Sequence, residues 1–111
     1  MRQMDAVPPA NLTAERDALA SIIRDPARIV DVADFLDPIH FYRPGHQDIY
    51  AAIADIVLRN EPLTRVTLGT ELAKLGCLEQ CGGQDYIDEL AAQEPHGAHA
   101  RHHALLVVEA Y

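Results

Sequence analysis

Residues 76–90 read GCLEQCGGQDYIDEL, a stretch that combines two cysteines, a Gly-Gly pair and an acidic segment. It admits three interpretations: a metal site, a phosphate-binding loop, or a joint between two helices. Gly76 suits the left-handed conformation that often follows the last turn of a helix. Gly82 and Gly83 can take positive φ without steric cost and can turn the chain sharply. The pattern favours a joint, with a new helix carrying Tyr86 and Leu90 after the glycine pair.

The phosphate-binding interpretation is the weakest, because the known fingerprints need a preceding strand, further glycines at fixed offsets and often a lysine. None of these accompanies Gly82 and Gly83. For the metal interpretation, Cys77 and Cys81 would face the same side of a helix. Structural zinc needs four ligands, so histidines between 96 and 103 would have to supply the second pair. Otherwise Cys81 is a small buried apolar residue and Cys77 a surface thiol.

Outward from this segment, apolar residues recur at three- and four-residue spacing, which is typical of helices packed on one core. Predicted helix starts lie at Asn11, Asp25-Pro26, Arg43-Pro44 and Thr64 or Thr67, where capping residues or prolines precede the apolar stripes. The predicted helices cover 12 to about 24, 26 to about 36, 44 to about 60, 68 to 75, 86 to 91 and about 98 to 111, with a short turn at 38–40. The predicted inner face of the first helix carries Leu12, Leu19, Ile22 and Ile23, and that of the second carries Ile29, Ala33 and Leu36. The third carries Ile49, Ile53, Ile56 and Val57 beside Tyr50. The fourth carries Leu68, Leu72 and Leu75, and the last carries Leu105, Leu106 and Val108.

The sequence therefore predicts an all-α fold, a compact orthogonal bundle of about six short helices. The domain would extend over 11–111 after a flexible tail at 1–10, where Pro8 and Pro9 favour an extended path. Aromatic residues are only 5% of the chain while apolar residues are 49%, so the core must be mostly aliphatic, which favours helices over a sandwich or barrel. LLVV at 105–108 could form a strand, but a strand without a partner would be unstable.

The charge balance argues against direct binding of nucleic acid. Nine Lys and Arg residues are scattered among seventeen Asp and Glu residues, giving a net charge of −8, whereas duplex DNA attracts clustered basic side chains. No apolar run reaches the ~18 residues of a membrane span, and the first residues lack the apolar core of a secretory signal. The sequence thus predicts a cytoplasmic protein with reduced thiols and no membrane contact.

Four of the six histidines lie between 96 and 103. His99 and His103 are four residues apart on a predicted helix, so they could share a metal. The segment has neither HExxH nor a neighbouring carboxylate to orient the rings, and a solvated turn or a subunit contact is the favoured interpretation. At an interface, protonation of this cluster near pH 6 would alter association. His46 with Asp48 and Tyr50 suggests an acid-base set, but no nucleophile lies nearby in sequence, and no catalytic constellation emerges.

Four segments in order, PPANLTAERDALASII, FYRPGHQDIYAAI, PLTRVTLGTELAKLG and CLEQCGGQDYIDEL, resemble the N-terminal domain of the DnaB family of bacterial replicative helicases. The resemblance covers about residues 8–111. The matching positions are Pro9, Asn11, Leu12, Ala14 and Glu15, then Phe41, Tyr42, His46, Ile49 and Tyr50, then Thr67, Leu68, Leu72, Gly76, Leu78, Gly82, Gly83, Tyr86 and Leu90. In this pattern Cys81 takes a usually aliphatic position and Cys77 a variable one, which agrees with a buried and an exposed thiol.

The resemblance implies a non-catalytic interaction domain of a replicative helicase. Such domains pair or form a hexameric ring and contact primase and a helicase loader. ATP and Mg²⁺ would belong to a RecA-like domain that follows a helical hairpin and a linker, and no GxxxxGK(S/T) motif occurs in this sequence. The predicted self-association surface comprises His99, His103, Val107, Val108 and Tyr111. The alternatives are a small Cys/His metal-binding protein and a free-standing modulator of the helicase.

Overall fold

The computed structural model describes residues 11–93 and 100–111, and in these ranges the chain forms five α-helices and two short 3₁₀ helices. The α-helices are α1 (Leu12–Arg24), α2 (Pro44–Leu58), α3 (Arg65–Lys74), α4 (Gly83–Ala92) and α5 (Ala100–Ala110), and the 3₁₀ helices are Pro26–Asp31 and Pro38–His40. No strand occurs in the described ranges, and the all-α prediction is confirmed. The tail predicted at 1–10 lies outside them. None of the described helices has the length and apolar character needed to cross a bilayer.

The helix boundaries follow the local signals in the sequence. The Asn11 side chain accepts a hydrogen bond from the Ala14 amide at 3.0 Å, which caps α1. Thr64 caps α3 by accepting from the Thr67 amide at 3.1 Å, so the earlier of the two predicted threonines is the cap. Gly76, at φ 78°, ends the turn after α3 in the left-handed region, as predicted.

The core lies around α1, which packs on α5, α4 and α2, while α2 also packs on α3. Most of the predicted apolar stripes are buried in it. Side chains with no more than 1% exposure include Leu19, Ile22, Ile49, Ile53, Ile56, Leu68, Leu72, Ile87 and Leu90. Leu75, predicted for the inner face of α3, is 59% exposed instead, because α3 ends at Lys74 and the chain already turns away there.

The prediction of one continuous helix from 26 to about 36 is wrong. The chain forms the 3₁₀ helix Pro26–Asp31 and then turns. The Val32 amide donates to the Ile29 carbonyl at 3.1 Å, so residues three apart fall on one side. Val32 is therefore buried where Ala33 was predicted, and Ala33 is exposed.

The inner face predicted for α5 is partly wrong. Leu105 is 39% exposed, whereas Leu106 and Val108 are partly buried and pack against the core. The buried residues of α5 are Ala100, His103, Ala104 and Val107. The distance between two packed helices depends on the side chains at their contact, and the two alanines let α5 lie close against α1. Close packing thus turns a small-residue face of α5 inward.

Candidate functional site: a buried polar cluster beneath the start of α2

Three side chains from three helices form a continuous polar array in the core. Nδ1 of His46 lies 2.7 Å from Oε1 of Glu15, and Nε2 of His46 lies 2.6 Å from the Tyr86 hydroxyl. The side chains of Glu15 and His46 are 2% and 0% exposed. The second carboxylate oxygen of Glu15 accepts a hydrogen bond from the Tyr42 amide at 2.7 Å. Every polar atom of the Glu15 and His46 side chains therefore has a partner, as buried polar groups require.

Local structure explains why these three side chains meet. Asn11 starts α1, which places Glu15 in the first turn of that helix. Pro44 opens α2 and puts His46 in the first turn there. Gly82, at φ 107°, turns the chain into α4, and a Cβ on Gly82 would lie 2.7 Å from Cβ of Tyr86. Gly82 thus provides both the turn and the space that Tyr86 occupies.

Arg43 covers the outer end of the array. Its guanidinium lies 5.2 Å from the centroid of the Tyr86 ring, a cation–π arrangement, and its Nη1 is 3.5 Å from the Tyr86 hydroxyl. Burial raises the pKa of Tyr86, and the positive charge of Arg43 partly opposes that rise. The phenol is therefore protonated at neutral pH, and its oxygen lies within hydrogen-bond distance of Nε2 of His46.

The array resembles a carboxylate–imidazole–hydroxyl relay, but its placement favours a structural role. The imidazole of His46 is fully buried, so a substrate could not reach it without opening the core. Two surface clefts of about 420 Å³ each lie elsewhere, one along α3 and the other between the start of α3 and the end of α4. Their lining residues, which include none of the array, are Arg59, Glu61, Thr67, Thr70, Glu71 and Lys74 for one, and Arg65, Asp88, Ala91 and Ala92 for the other. What the array can do is hold α1, α2 and α4 in one arrangement.

A second buried polar contact joins α5 to α1. His103 is 5% exposed, and its Nδ1 lies 3.8 Å from a carboxylate oxygen of Asp17. The side-chain amide of Gln93 donates to the other Asp17 oxygen. The expectation that no carboxylate lies near the histidine segment is therefore wrong for His103, because Asp17 approaches from another helix. His102 is exposed, with its ring edge-on to that of His103 at 5.8 Å.

The residues predicted for self-association fall into three groups. His99 lies outside the described residues. His103 and Val107 are buried within the chain, with Val107 only 1% exposed. Val108 is partly buried and Tyr111 is 70% exposed, with its ring edge-on to His40 at 5.1 Å. The prediction of an interface stays a prediction, and the accessible part of its described residues is Val108 and Tyr111.

Cys81 is buried, as the thiol interpretation predicted, whereas Cys77, predicted as a surface thiol, is partly buried. Burial raises the pKa of the Cys81 thiol to about 12, helped by the neighbouring Cys77 and Asp48 and opposed by Arg43. The predicted zinc interpretation paired the cysteines with histidines. Among residues 11–93 and 100–111, the group that brings three potential ligand atoms within 4.8 Å of one another contains Asp48, Cys77 and Cys81, and no histidine.

Glu15 and Tyr86 were not predicted to form a site with His46. In the sequence they lie 31 and 40 residues from it, and His46 was considered only with its neighbours Asp48 and Tyr50. One signal was available: Glu15, His46 and Tyr86 all belong to the series of positions on which the family resemblance rests. Polar residues in a pattern dominated by apolar residues and glycines are candidates for a shared buried network.

Comparison with known proteins supports this resemblance over almost the whole chain. The family model described as DnaB-like helicase N terminal domain matches residues 7–109. The chain is 37% identical over 105 residues to the replicative DNA helicase DnaB of Geobacillus stearothermophilus, which covers 95% of this chain and 23% of that protein. The DnaB helicase of Mycobacterium leprae is 37% identical over 115 residues, covering 96% and 19%. The chain thus spans roughly a fifth of the length of these relatives.

Solved structures agree with these matches. The crystal structure of the N-terminal domain of DnaB helicase from Mycobacterium tuberculosis superposes with a TM-score of 0.87 at 38% identity, covering 94% of this chain and 74% of that one. The structure of a DnaB-like replicative helicase and its interactions with primase matches with a TM-score of 0.72 at 30% identity, covering 89% of this chain and 23% of that one. Fold, sequence and family model agree, and the chain belongs to the family of DnaB-like helicase N-terminal domains.

Proposed function

We propose that this chain is an assembly domain of a replicative DNA helicase, which associates with copies of itself and offers a docking surface to primase. The observation that carries the proposal is the fold match to a DnaB N-terminal domain over 94% of the chain. A second helicase of similar fold is described together with its interactions with primase. The buried array of Glu15, His46 and Tyr86 fits this role, because it fixes helices and exposes no reactive group.

ATP-dependent unwinding, with its bound ATP and Mg²⁺, would then belong to other parts of such a helicase. A loader protein is a further expected partner, and the cytoplasm the expected location. Direct contact of this domain with DNA is not part of the proposal, because its net charge is −8 and a DNA surface repels such a domain. Salt-sensitive binding of the isolated chain to single-stranded or duplex DNA, measured by fluorescence anisotropy, would contradict that part.

The surface proposed for self-association is the α5 face, comprising Leu105, Val108, Tyr111 and Ile39, which precedes the His40 whose ring contacts Tyr111. On α5, Leu105 and Val108 lie on the same side as Arg101. Arg101 lies 5.1 Å from the centroid of the Phe35 ring, so that side borders the turn after the first 3₁₀ helix. Tyr111 is 70% exposed and Ile39 60% exposed. Grouped apolar side chains of this kind mark association surfaces in soluble domains.

Self-association can be tested by measuring the molar mass of the isolated chain in solution. Light scattering across a range of concentrations is expected to show a mass that rises above 12.2 kDa, and the Tyr111→Ser and Leu105→Ser double variant is expected to stay a monomer. Leu58→Ser is the matched control, because Leu58 is 82% exposed at the end of α2, outside the α5 face. Equal association of both variants would contradict the choice of surface. A monomer at every concentration would contradict self-association by this chain.

The docking of primase needs its own measurement. Titration of the cognate primase into the chain by calorimetry is expected to give a dissociation constant on the order of micromolar, as for a small transient interface. Heats equal to the dilution blank, together with separate elution of the two proteins, would contradict this part. Self-association and primase docking thus succeed or fail independently.

A further inference from the structure

We propose that Asp48, Cys77 and Cys81 form a binding site for a thiophilic divalent cation, with Zn²⁺ as the physiological candidate. One potential ligand atom from each residue lies within 4.8 Å of the other two. The three residues come from two parts of the chain, α2 and the turn between α3 and α4. The proposed site is separate from the α5 face and does not depend on the assembly role.

The local backbone holds the two thiols on one side. The Cys81 amide donates a hydrogen bond to the Cys77 carbonyl at 3.1 Å, and the Gly83 amide donates to the Leu78 carbonyl at 2.9 Å. Residues 77–83 therefore form a helix-like turn in which residues four apart face the same way. Cys77 is partly exposed and Cys81 is buried, so the pair presents one accessible sulfur and one from the interior.

Close packing of α2 brings the carboxylate to this pair. A Cβ on Gly45 would lie 3.1 Å from the Cys81 Cα and 3.3 Å from the Gln80 carbonyl oxygen. The absence of a side chain at 45 thus lets the start of α2 lie directly against the turn. Asp48 follows Gly45 by three residues, which places both on the same side of α2. Asp48 itself is exposed, so a cation could enter from solvent on the Asp48 side.

The donor set fits zinc better than magnesium or calcium, which prefer oxygen ligands. Zinc binds thiolate sulfur at about 2.3 Å in tetrahedral geometry, so two sulfurs on one ion lie about 3.8 Å apart. The three groups, within 4.8 Å of one another, would need to close by only about 1 Å. Binding would release the two thiol protons to solvent, and a water molecule would complete the four ligands. Burial, Cys77 and Asp48 raise the pKa of the Cys81 thiol and Arg43 lowers it, so the positive charge of the bound cation itself would have to stabilise the thiolate.

The histidines near the end of the chain are the competing ligands. In the described residues His103 already lies beside Asp17, and neither it nor His102 belongs to the group at Cys81. A cation held by histidines would show no sulfur coordination. The identity of the ligand atoms therefore distinguishes the two sites.

The test uses the whole chain, reduced with a phosphine and freed of metal. Titration with Co²⁺ is expected to give one equivalent bound, with thiolate-to-cobalt charge-transfer absorption, and Zn²⁺ is expected to displace it. Cys77→Ala is expected to lower Zn²⁺ affinity more than about 100-fold and Asp48→Asn about 10-fold or more, because even loss of an outer-shell partner costs about 10–100-fold. Asp55→Asn, an exposed carboxylate on the same helix, is the matched control and is expected to bind Zn²⁺ as the unaltered chain does.

Circular dichroism of each variant separates lost binding from lost folding, and Asp48→Asn changes only an exposed side chain. The proposal is overturned if no stoichiometric Co²⁺ or Zn²⁺ binds to the reduced chain. It is equally overturned if Cys77→Ala binds as tightly as the unaltered chain, or if Asp48→Asn and Asp55→Asn bind alike. Binding without charge-transfer absorption that is lost in His102→Gln would place the cation on the histidines instead.

Discussion

His46 Nδ1 lies 2.7 Å from Glu15 Oε1, and this contact joins the first turns of α1 and α2 inside the core. Charged and polar groups are costly to bury unless they are paired and hydrogen-bonded. The pair meets that condition, since Glu15 also accepts from the Tyr42 amide and His46 continues to Tyr86 on α4. The contact therefore determines how three helices sit relative to one another. α5 packs on α1, so the proposed association surface depends on this arrangement.

Replacing His46 by alanine is expected to lower the free energy of unfolding by about 3–5 kcal/mol, because it leaves the Glu15 carboxylate buried without its hydrogen-bond partner. Tyr86→Phe removes only the outer hydroxyl and is expected to cost about 1–3 kcal/mol. Urea denaturation followed by circular dichroism measures both values. His102→Ala, at an exposed histidine, serves as the control and is expected to stay within about 0.5 kcal/mol. A cost for His46→Ala no larger than that for Tyr86→Phe would argue against a stabilising contact between His46 and Glu15.

The sequence predicted the parts of the fold that local chemistry decides. Asn11 and Thr64 accept hydrogen bonds from amides three residues later, so their capping roles follow from residue type and spacing. Gly76 adopts positive φ without steric cost, so its position after the helix follows from its residue type. The array of Glu15, His46 and Tyr86 could not be predicted in this way, because helical periodicity says nothing about contacts across 31 and 40 residues.

The inner face of α5 shows a second limit of sequence patterns. Leu105 and Val108 have larger apolar side chains than Ala100 and Ala104, and a count of apolar residues favours them. The structure buries the alanines instead, because small side chains allow α5 to lie close to α1. Which of two apolar faces turns inward depends on the partner helix, and that information is absent from α5 itself.

Two glycines with positive φ offer a matched pair for testing the turn into α4. Gly82→Ala would force a side chain into the space of Tyr86, since the added Cβ would lie 2.7 Å from the Tyr86 Cβ, and it would also strain the backbone at φ 107°. We expect a loss of about 2–4 kcal/mol. Gly76→Ala meets open space at φ 78° and is expected to cost about 1 kcal/mol. Thermal denaturation of both variants checks the order, and equal costs would mean that the space under Tyr86 is not limiting.

Two leucines, one within α3 and one at its C-terminal end, test the core. Leu72 is fully buried, whereas Leu75, which the apolar spacing also predicted for the core, is 59% exposed. Leu72→Ala is expected to cost about 2–5 kcal/mol through lost burial and the cavity left behind. Leu75→Ala is expected to change the free energy of unfolding by less than about 0.5 kcal/mol. Leu90, buried at 1% exposure on α4, is expected to behave as Leu72 does. Near-unaltered stability of Leu72→Ala and Leu90→Ala would show that the core is placed wrongly.

The free energy of unfolding at acid pH should depend on the ion pair between α3 and the end of α2. Nη2 of Arg59 lies 2.9 Å from Oε1 of Glu71, and the hydrogen bond from Arg59 lowers the pKa of Glu71 below its ordinary value. A carboxyl group with a lowered pKa in the folded state stabilises the fold fully above its unfolded pKa of about 4.5. That contribution is lost as the pH falls through the lower, folded pKa.

Glu71→Gln is therefore expected to be less stable than the unaltered chain at pH 7, and the difference should shrink as the pH falls below about 4.5. Urea denaturation at a series of pH values measures it. Glu79→Gln, at an exposed position on the turn before α4, provides the control and should show little difference at any pH. If the difference for Glu71→Gln persists unchanged down to about pH 2, the loss comes from packing of the side chain and not from its charge.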